Sequence, residues 1–176
     1  MKTQIKNLKT SVWFLTLMMT LSFFSCEKDP LEDCRKDPTC EYFTCKVNGE
    51  RWEPQCEGEP FFGCTPWDVQ YYRINGYIEA VIKNEKNKTG FKFELKNIKN
   101  ENQDYFFEPD SRFYESNNNQ NCVSYYLFNQ GYNLFRFEKI DTINKFIKAK
   151  FSFKTLNDCG EEVHITDGEF NLPYRF

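Results

Sequence analysis

Aromatic and β-branched residues alternate with polar residues along most of the chain after residue 40, and this period-two pattern constrains the fold most strongly. In one clear case Phe91, Phe93 and Leu95 alternate with lysine and glutamate. Such alternation indicates strands with one buried and one solvated face. Short polar turns separate the runs, as at Asn48-Gly49, a dipeptide suited to the positive φ angles of a tight hairpin.

These patterns predict an all-β fold, an antiparallel β-sandwich of roughly ten strands, with a closed β-barrel as the alternative. A sandwich is favoured because residues 125–128 are aromatic or aliphatic on both faces of their strand. The 19 Phe and 10 Tyr residues can fill the core of one domain of this size. Asp167-Gly168 is predicted to be the turn of a final hairpin. The predicted strands are residues 42–47, 50–53, 67–73, 77–83, 91–98, 105–108, 122–128, 133–140, 146–155, 162–166 and 169–174.

The N-terminus has the organisation of a bacterial secretion signal. Three lysines precede an uncharged apolar run over residues 12–24, which is followed by Ser25-Cys26. The run is shorter than the roughly 20 residues that a membrane-spanning helix needs. A small residue directly before a cysteine resembles a lipobox, so residues 1–25 are predicted to be a lipoprotein signal peptide and Cys26 the acylated residue. Alternatively, Cys26 is a disulfide cysteine behind a conventional signal peptide.

The next segment, residues 26–40, is predicted to be a lipidated cysteine and a charged tether, followed by the folded domain over residues 41–176. The tether begins with Glu27-Lys28-Asp29. This resembles the lysine-plus-acidic export tag of Bacteroidetes-type outer-membrane lipoproteins, while a solvated spacer is the alternative. The sequence therefore predicts a lipid-anchored outer-membrane protein that faces the cell exterior. Loss of residues 1–25 would change the net charge from -3 to -6.

Eight cysteines in an exported chain indicate disulfides, because the compartment beyond the inner membrane is oxidising. If Cys26 is acylated, seven remain, so one thiol stays free. Cys45 is the expected free thiol, buried on a strand face between Phe43 and Val47. A zinc site is the alternative to disulfides, but no Cys-x₂-Cys pair is present. Sequence proximity favours pairing Cys34 with Cys40 and Cys56 with Cys64, leaving Cys122 and Cys159 as a longer clasp.

Composition argues against several functional classes. The chain is mildly acidic and has no run of Lys or Arg, so nucleic acid is not expected as a partner. His164 is the only histidine, which excludes multi-histidine metal sites and makes any His-based triad depend on one residue. No metal, no cofactor and no catalytic residue is predicted.

The best ligand candidate lies in the predicted strand over residues 67–73. Alternation places Tyr72 on the outer face beside Asp68 and Gln70, opposite the inward side of the strand. An exposed ring flanked by amide and carboxylate groups suits a carbohydrate, because sugar C–H faces stack on aromatic rings and sugar hydroxyls hydrogen-bond. The alternative is a tyrosine that merely covers a sheet face.

Carboxylate pairs offer a weaker, enzymatic hypothesis. Glu161-Glu162, or Asp167 with Glu169, could serve as a glycosidase acid and nucleophile, which need separations of about 5 to 9 Å across a cleft. Both pairs lie at predicted turns, where acidic residues are common. His164 alternates with two apolar neighbours and is expected to point to solvent.

Three segments resemble a family of Bacteroidetes-type lipoproteins built around a domain of unknown function. They are residues 43–54 (FTCKVNGERWEP), Phe151-Ser152-Phe153, and residues 163–170 (VHITDGEF). The resemblance implies an all-β extracytoplasmic lipoprotein, and it carries no catalytic residues. The expected function is therefore a non-enzymatic surface module that binds a glycan or a macromolecular partner. A structural or accessory subunit of an outer-membrane complex is the alternative.

Overall fold

The chain folds into eleven β-strands and one five-residue helix within the part that this computed structural model describes, namely residues 29, 31–57, 64–115, 124–127, 133–157 and 159–176. The helix α1 (Glu32–Lys36) carries acidic residues in its first turn and basic residues in its last, which complements the helix dipole. The strands are β1 (Tyr42–Val47), β2 (Glu50–Trp52), β3 (Trp67–Tyr72), β4 (Tyr77–Asn84), β5 (Thr89–Leu95), β6 (Asp104–Tyr105), β7 (Arg112–Glu115), β8 (Ser124–Leu127), β9 (Leu134–Asp141), β10 (Phe146–Asn157) and β11 (Glu162–Pro173).

The strands form an antiparallel β-sandwich, and those in the described part of the chain do not close into a barrel. This confirms the predicted fold class. Hydrogen bonds run through the strands in the order β2-β1-β11-β10-β8-β7-β5-β4-β3, with β9 beside β10 and β6 beside β9. The long strand β10 connects the layers because its residues 146–152 pair with β9 while its residues 155–157 pair with β8.

The predicted hairpin at Asp167-Gly168 is wrong, because β11 continues through this dipeptide as one strand. Asp167 has the positive φ angle expected of a turn residue, 52°. Here it forms a β-bulge instead, since the registers of both neighbouring strands shift by one residue at this point. Gly168 is required because an added Cβ would lie 2.4 Å from Cε2 of Phe151.

Two other strands differ from the sequence prediction. Strand β7 was not predicted, because only Phe113 of its four residues is buried and so short a stretch gives no clear alternation. The strand expected over residues 105–108 is reduced to β6, and Phe107 instead forms an isolated bridge with Leu95. The predicted turn at Asn48-Gly49 is confirmed, with φ angles of 52° and 85°.

One cluster of phenylalanine side chains fills the space between the layers. Phe43 of β1 joins several strands in this cluster, because its ring centroid lies between 5.3 and 6.5 Å from five other aromatic rings contributed by β2, β5, β10 and β11. The indole of Trp52 adds a polar link, because its Nε1 donates a hydrogen bond of 2.9 Å to Thr89 Oγ1. The buried phenylalanines are Phe43, Phe91, Phe93, Phe107, Phe113, Phe135, Phe137, Phe151, Phe153 and Phe170.

The residues after β11 cover the outer edge of β3. Arg175 donates its backbone N–H to Val69 O, and its carbonyl accepts from Tyr71 N, both at 2.9 Å. These bonds satisfy backbone groups that an edge strand would otherwise expose. They also fix the position of β3, whose outer face carries the ligand candidate.

We expect Phe43→Ala to destabilise the domain by about 3–5 kcal/mol, because it leaves a cavity at the centre of the cluster. Phe106→Ala is the matched control, since this ring is 81% exposed and its loss should change stability by less than about 0.5 kcal/mol. Urea denaturation followed by fluorescence measures both. Similar losses of stability in the two variants would show that Phe43 contributes no more to the folded domain than an exposed ring does.

Candidate functional site

Strand β3 presents Asp68, Gln70 and Tyr72 on its outer face, as the sequence predicted. The intervening side chains of Val69 and Tyr71 are buried in the core. Tyr72 Oη donates a hydrogen bond to Gln70 Oε1, and Gln70 Nε2 donates to Asp68 Oδ2 at 3.5 Å. The Tyr72 ring remains 42% exposed. The three side chains therefore form an ordered line along the strand.

Two further aromatic side chains extend this site across neighbouring strands. Tyr77 of β4 pairs with Tyr72, and their ring centroids lie 5.7 Å apart with an interplanar angle of 36°. Continuing the pairing of Ile78 with Leu95 by one residue places Lys96 beside Tyr77. The bridge between Leu95 and Phe107 likewise places the exposed Phe106 beside Lys96. We call Tyr72, Tyr77 and Phe106 the aromatic row.

A second row of polar side chains runs parallel to the first, one step further along the strands. Gln70 pairs with Glu79, which pairs with Glu94, and Glu108 N donates to Glu94 O at 2.8 Å. We call Gln70, Glu79, Glu94 and Glu108 the acidic row, in which Glu94 is buried beneath its neighbours. Two lysines neutralise part of its charge: Lys92 Nζ lies 3.5 Å from Glu79 Oε1 and 2.5 Å from Glu94 Oε1, and Lys96 Nζ lies 2.9 Å from Glu108 Oε2.

The surroundings of Tyr77 on this face keep its hydroxyl group protonated. Partial burial, followed by the charges of Glu94 and Glu79, raises the pKa of Tyr77 to about 12. The hydrogen bond to Glu94 raises the pKa of Lys92 above its usual value. At neutral pH the face therefore offers a neutral phenol, carboxylate acceptors and ammonium donors side by side.

The two rows form an open platform rather than a cleft. The aromatic row crosses three strand spacings, so it extends about 14 Å. That length matches about three pyranose rings laid end to end, since neighbouring strands are separated by about 4.8 Å and a sugar ring is of similar size. Rings can stack on sugar C–H faces while the acidic row accepts hydrogen bonds from sugar hydroxyls. The arrangement is suited to binding an extended saccharide.

The carboxylates considered as a catalytic pair are tied to basic side chains. Glu162 contacts both Lys154 and His164. Asp167 lies 2.8 Å from Lys46 Nζ. Glu169 is bound by Arg35, and neither predicted pair lines the depression beside Pro38 and Phe146 or the one beside Tyr72 and Phe176. His164 points outward from its strand, as predicted.

The two short disulfides predicted from proximity are present. Cys34 is bonded to Cys40 and Cys56 to Cys64, with Cα separations of 5.3 and 6.0 Å. Cys159 is disulfide-bonded as well. Its predicted partner Cys122 lies outside the described residues, as does Cys26. Glu85 lies near Cys56 and Cys64, but the disulfide occupies both sulfur atoms and leaves them unsuited to a metal.

Cys45 is the free, buried thiol that the sequence predicted. Burial alone raises the pKa of this thiol far above its usual value. Because the thiolate is the reactive form, Cys45 is held in an inert state within the core.

Sequence reasoning found the β3 side of the platform but missed Tyr77, Glu79 and Phe106. Alternation along β4 places Tyr77 and Glu79 on one face, a signal that could have found both residues. What the sequence lacked was the pairing that brings Phe106 next to β5, since this contact depends on an isolated bridge. No helix in the described residues has the length and apolar character needed to cross a bilayer.

Comparisons with protein families, with curated proteins and with solved structures give no match for this chain.

Titration with Ellman's reagent should detect no thiol in the folded, lipidated protein and one thiol per chain in guanidinium chloride. Cys45 is the one free thiol among the described cysteines, and unfolding exposes it, while Cys26 is expected to be acylated and Cys122 to be paired with Cys159. A Cys45→Ala variant serves as the control and should give none in either condition. Rapid labelling of the folded protein would contradict the burial of this thiol, and two thiols after unfolding would show that a further cysteine is unmodified.

Proposed function

We propose that this protein is an outer-membrane lipoprotein, anchored through Cys26 and facing the cell exterior, whose β-sandwich binds a glycan without acting as an enzyme. The observation that carries the proposal is the platform on the outer face of β3, β4 and β5. There the aromatic row lies beside the acidic row, and both are held in place by strand pairing.

The platform favours a saccharide over a purely apolar ligand. Its rings lie next to carboxylates and ammonium groups that form ion pairs with one another. A ligand that covers the rings also removes water from these polar groups, so it must offer them hydrogen bonds in return. A polyhydroxylated chain does both. Each hydroxyl can donate to a carboxylate or accept from lysine, while the C–H face of the same sugar covers a ring.

The geometry also favours binding over hydrolysis. Glycoside hydrolysis requires two carboxylates facing each other across the scissile bond, about 5 to 9 Å apart. On the platform the carboxylates lie side by side on a flat sheet, and lysines contact three of them. A sugar would therefore lie on top of these groups rather than between them.

The proposal of a lipid anchor rests on the N-terminal sequence and is supported by the pattern of disulfides. The apolar run ending in Ser25-Cys26 resembles a lipoprotein signal, and residues 43–54 resemble the start of an extracytoplasmic lipoprotein domain. The disulfides Cys34–Cys40 and Cys56–Cys64 suit an oxidising compartment. An exported, tethered domain with an exposed platform would meet extracellular saccharides.

For the glycan proposal, a glycan array should identify a bound saccharide, and calorimetry should then measure its affinity for the platform variants. Tyr72→Ala and Phe106→Ala should each weaken binding about tenfold, or about 1.4 kcal/mol, because each removes a stacking surface. Tyr72→Phe keeps the ring and should retain most of the affinity. Lys86→Ala, which truncates an exposed side chain in the β4–β5 turn at the opposite end of the sandwich, is the matched control.

If these variants bind as the parent does, the platform is not the site. If the parent binds no saccharide and instead copurifies with a membrane protein, a role as an accessory subunit replaces the proposal.

For the anchor, Cys26→Ser should release the protein from the membrane fraction, because the acyl chains supply the anchoring energy at about 0.8 kcal/mol per buried CH₂. Protease treatment of intact cells should remove the wild-type domain while a periplasmic control protein survives. Survival of the domain under these conditions would place it on the periplasmic side and contradict surface display.

A further inference from the structure

Three segments meet at one end of the sandwich: the β3–β4 turn (residues 73–76), the β9–β10 turn (residues 142–145) and the residues after β11. Tyr174 N donates to Lys145 O at 2.9 Å, and Lys145 Nζ lies 5.0 Å from the centroid of the Phe176 ring. Phe176 and Ile74 line one shallow apolar depression of about 420 Å³. We call this region the apolar end.

The apolar end exposes three large apolar side chains. Ile74 is fully exposed, with a relative accessibility of 104%, Ile143 is 89% exposed and Phe176 is 67% exposed. The backbone that presents Ile143 is ordered, because Asp141 Oδ1 accepts hydrogen bonds from the N–H groups of Ile143 and Asn144. Ile74 and Phe176 share one depression and Ile143 lies in the neighbouring turn. Exposed apolar side chains that are grouped in this way mark a surface that contacts another apolar phase.

The opposite end of the sandwich is different. Its β1–β2 turn is Asn48-Gly49, and its β4–β5 turn, residues 85–88, consists of glutamate, asparagine and two lysines. Neither turn carries a large apolar side chain. The apolar side chains are therefore concentrated where the turns around Ile74 and Ile143 lie.

Charge at the apolar end is positive although the chain as a whole is acidic. Arg73, Lys145 and Arg175 lie in its three segments, and no acidic residue occurs in residues 73–76, 142–145 or 174–176. The neighbouring carboxylates are Asp68, 3.9 Å from Arg175 Nε, and Asp141 at the start of the β9–β10 turn. Cationic side chains with aliphatic stems suit the headgroup layer of a membrane, where phosphates balance their charge while the stems remain in apolar surroundings. The protein partner of such a surface would need to be both anionic and apolar.

The chain also enters the domain at the apolar end. Arg35 and Pro38 line a small depression together with Lys139, Asp141 and Phe146, which border the β9–β10 turn. Asn171 Nδ2 donates to the carbonyls of Pro38 and Cys40 at 3.0 and 2.9 Å. Only eight residue steps separate Cys34 from Cys26, so this connection spans at most about 28 Å. A lipid anchor at Cys26 would therefore join the domain at the apolar end through a tether no longer than this.

We infer that the apolar end rests on the membrane that holds the anchor, with Ile74, Ile143 and Phe176 inserted at the boundary between headgroups and acyl chains. This inference depends on the proposed lipid anchor at Cys26. It adds an orientation to that proposal: strand β3 rises from the membrane surface, and the aromatic row lies just above the headgroups.

Fluorescence quenching in vesicles tests this contact. The lipidated chain is reconstituted into vesicles of phosphatidylcholine and phosphatidylglycerol with brominated acyl chains, using Ile143→Trp as the reporter. The added emission should fall about twofold relative to unbrominated vesicles, because the side chain would lie about 5–10 Å below the surface. Ile74→Trp provides a second reporter, and Lys86→Trp in the opposite β4–β5 turn is the matched control that should show no quenching.

The possible outcomes distinguish failure of the membrane contact from failure of the lipid anchor. If the protein floats with the vesicles but Ile143→Trp and Ile74→Trp are quenched no more than Lys86→Trp, the docking is overturned and the anchor stands. If the lipidated chain does not float, the anchor fails and the docking fails with it. If Ile143→Trp is shielded from aqueous acrylamide but not quenched by bromine, a second copy of the chain covers this end and the inference is overturned.

Discussion

The contact between phenylalanine rings from opposite layers is the interaction on which the rest of the structure depends. Phe43 of β1 meets Phe91 and Phe93 of β5 and Phe151 of β10, so one cluster joins strands that are far apart in the sequence. Aromatic side chains bury large apolar areas and prefer tilted or edge-to-face contacts, which the cluster provides repeatedly. The rings are the largest fully buried side chains of a core that also contains valine, isoleucine and leucine residues from several strands.

The buried cluster also determines what the outer surface can present. Because strand side chains alternate, burial of Phe91, Phe93 and Leu95 in the core turns Lys92 and Glu94 to the other face of β5, where Glu94 is covered by its neighbours and Lys92 is partly exposed. In the same way, burial of Val69 and Tyr71 directs the β3 side chains of the platform outward. The platform is therefore formed by the outward faces of the strands, whereas the apolar end is formed by the turns that connect them.

The sequence predicted features that depend on neighbours along the chain. The outer face of β3 followed from alternation, and the pairs Cys34–Cys40 and Cys56–Cys64 followed from separations of six and eight residues. The sequence prediction failed where pairing between strands that are distant in the chain determines the structure. Asp167-Gly168 favours a turn locally, but β1 and β10 are available on both sides of it, so the backbone continues as a bulged strand. Phe106 joined the platform only through a bridge between non-adjacent segments.

The pairing of β1 with β11 has a consequence for the order in which the protein can be assembled. The first strand of the domain finds its main partner in the last, and until residues 162–173 are available it has only the three-residue β2 beside it. During synthesis, which proceeds from the N-terminus, Phe43 therefore lacks its neighbour Phe170 until the last strand has been made. Local hairpins such as β3–β4–β5 can pair earlier, but β1 can join the sheet only when β11 is present, so closure of the sandwich is the last step of assembly.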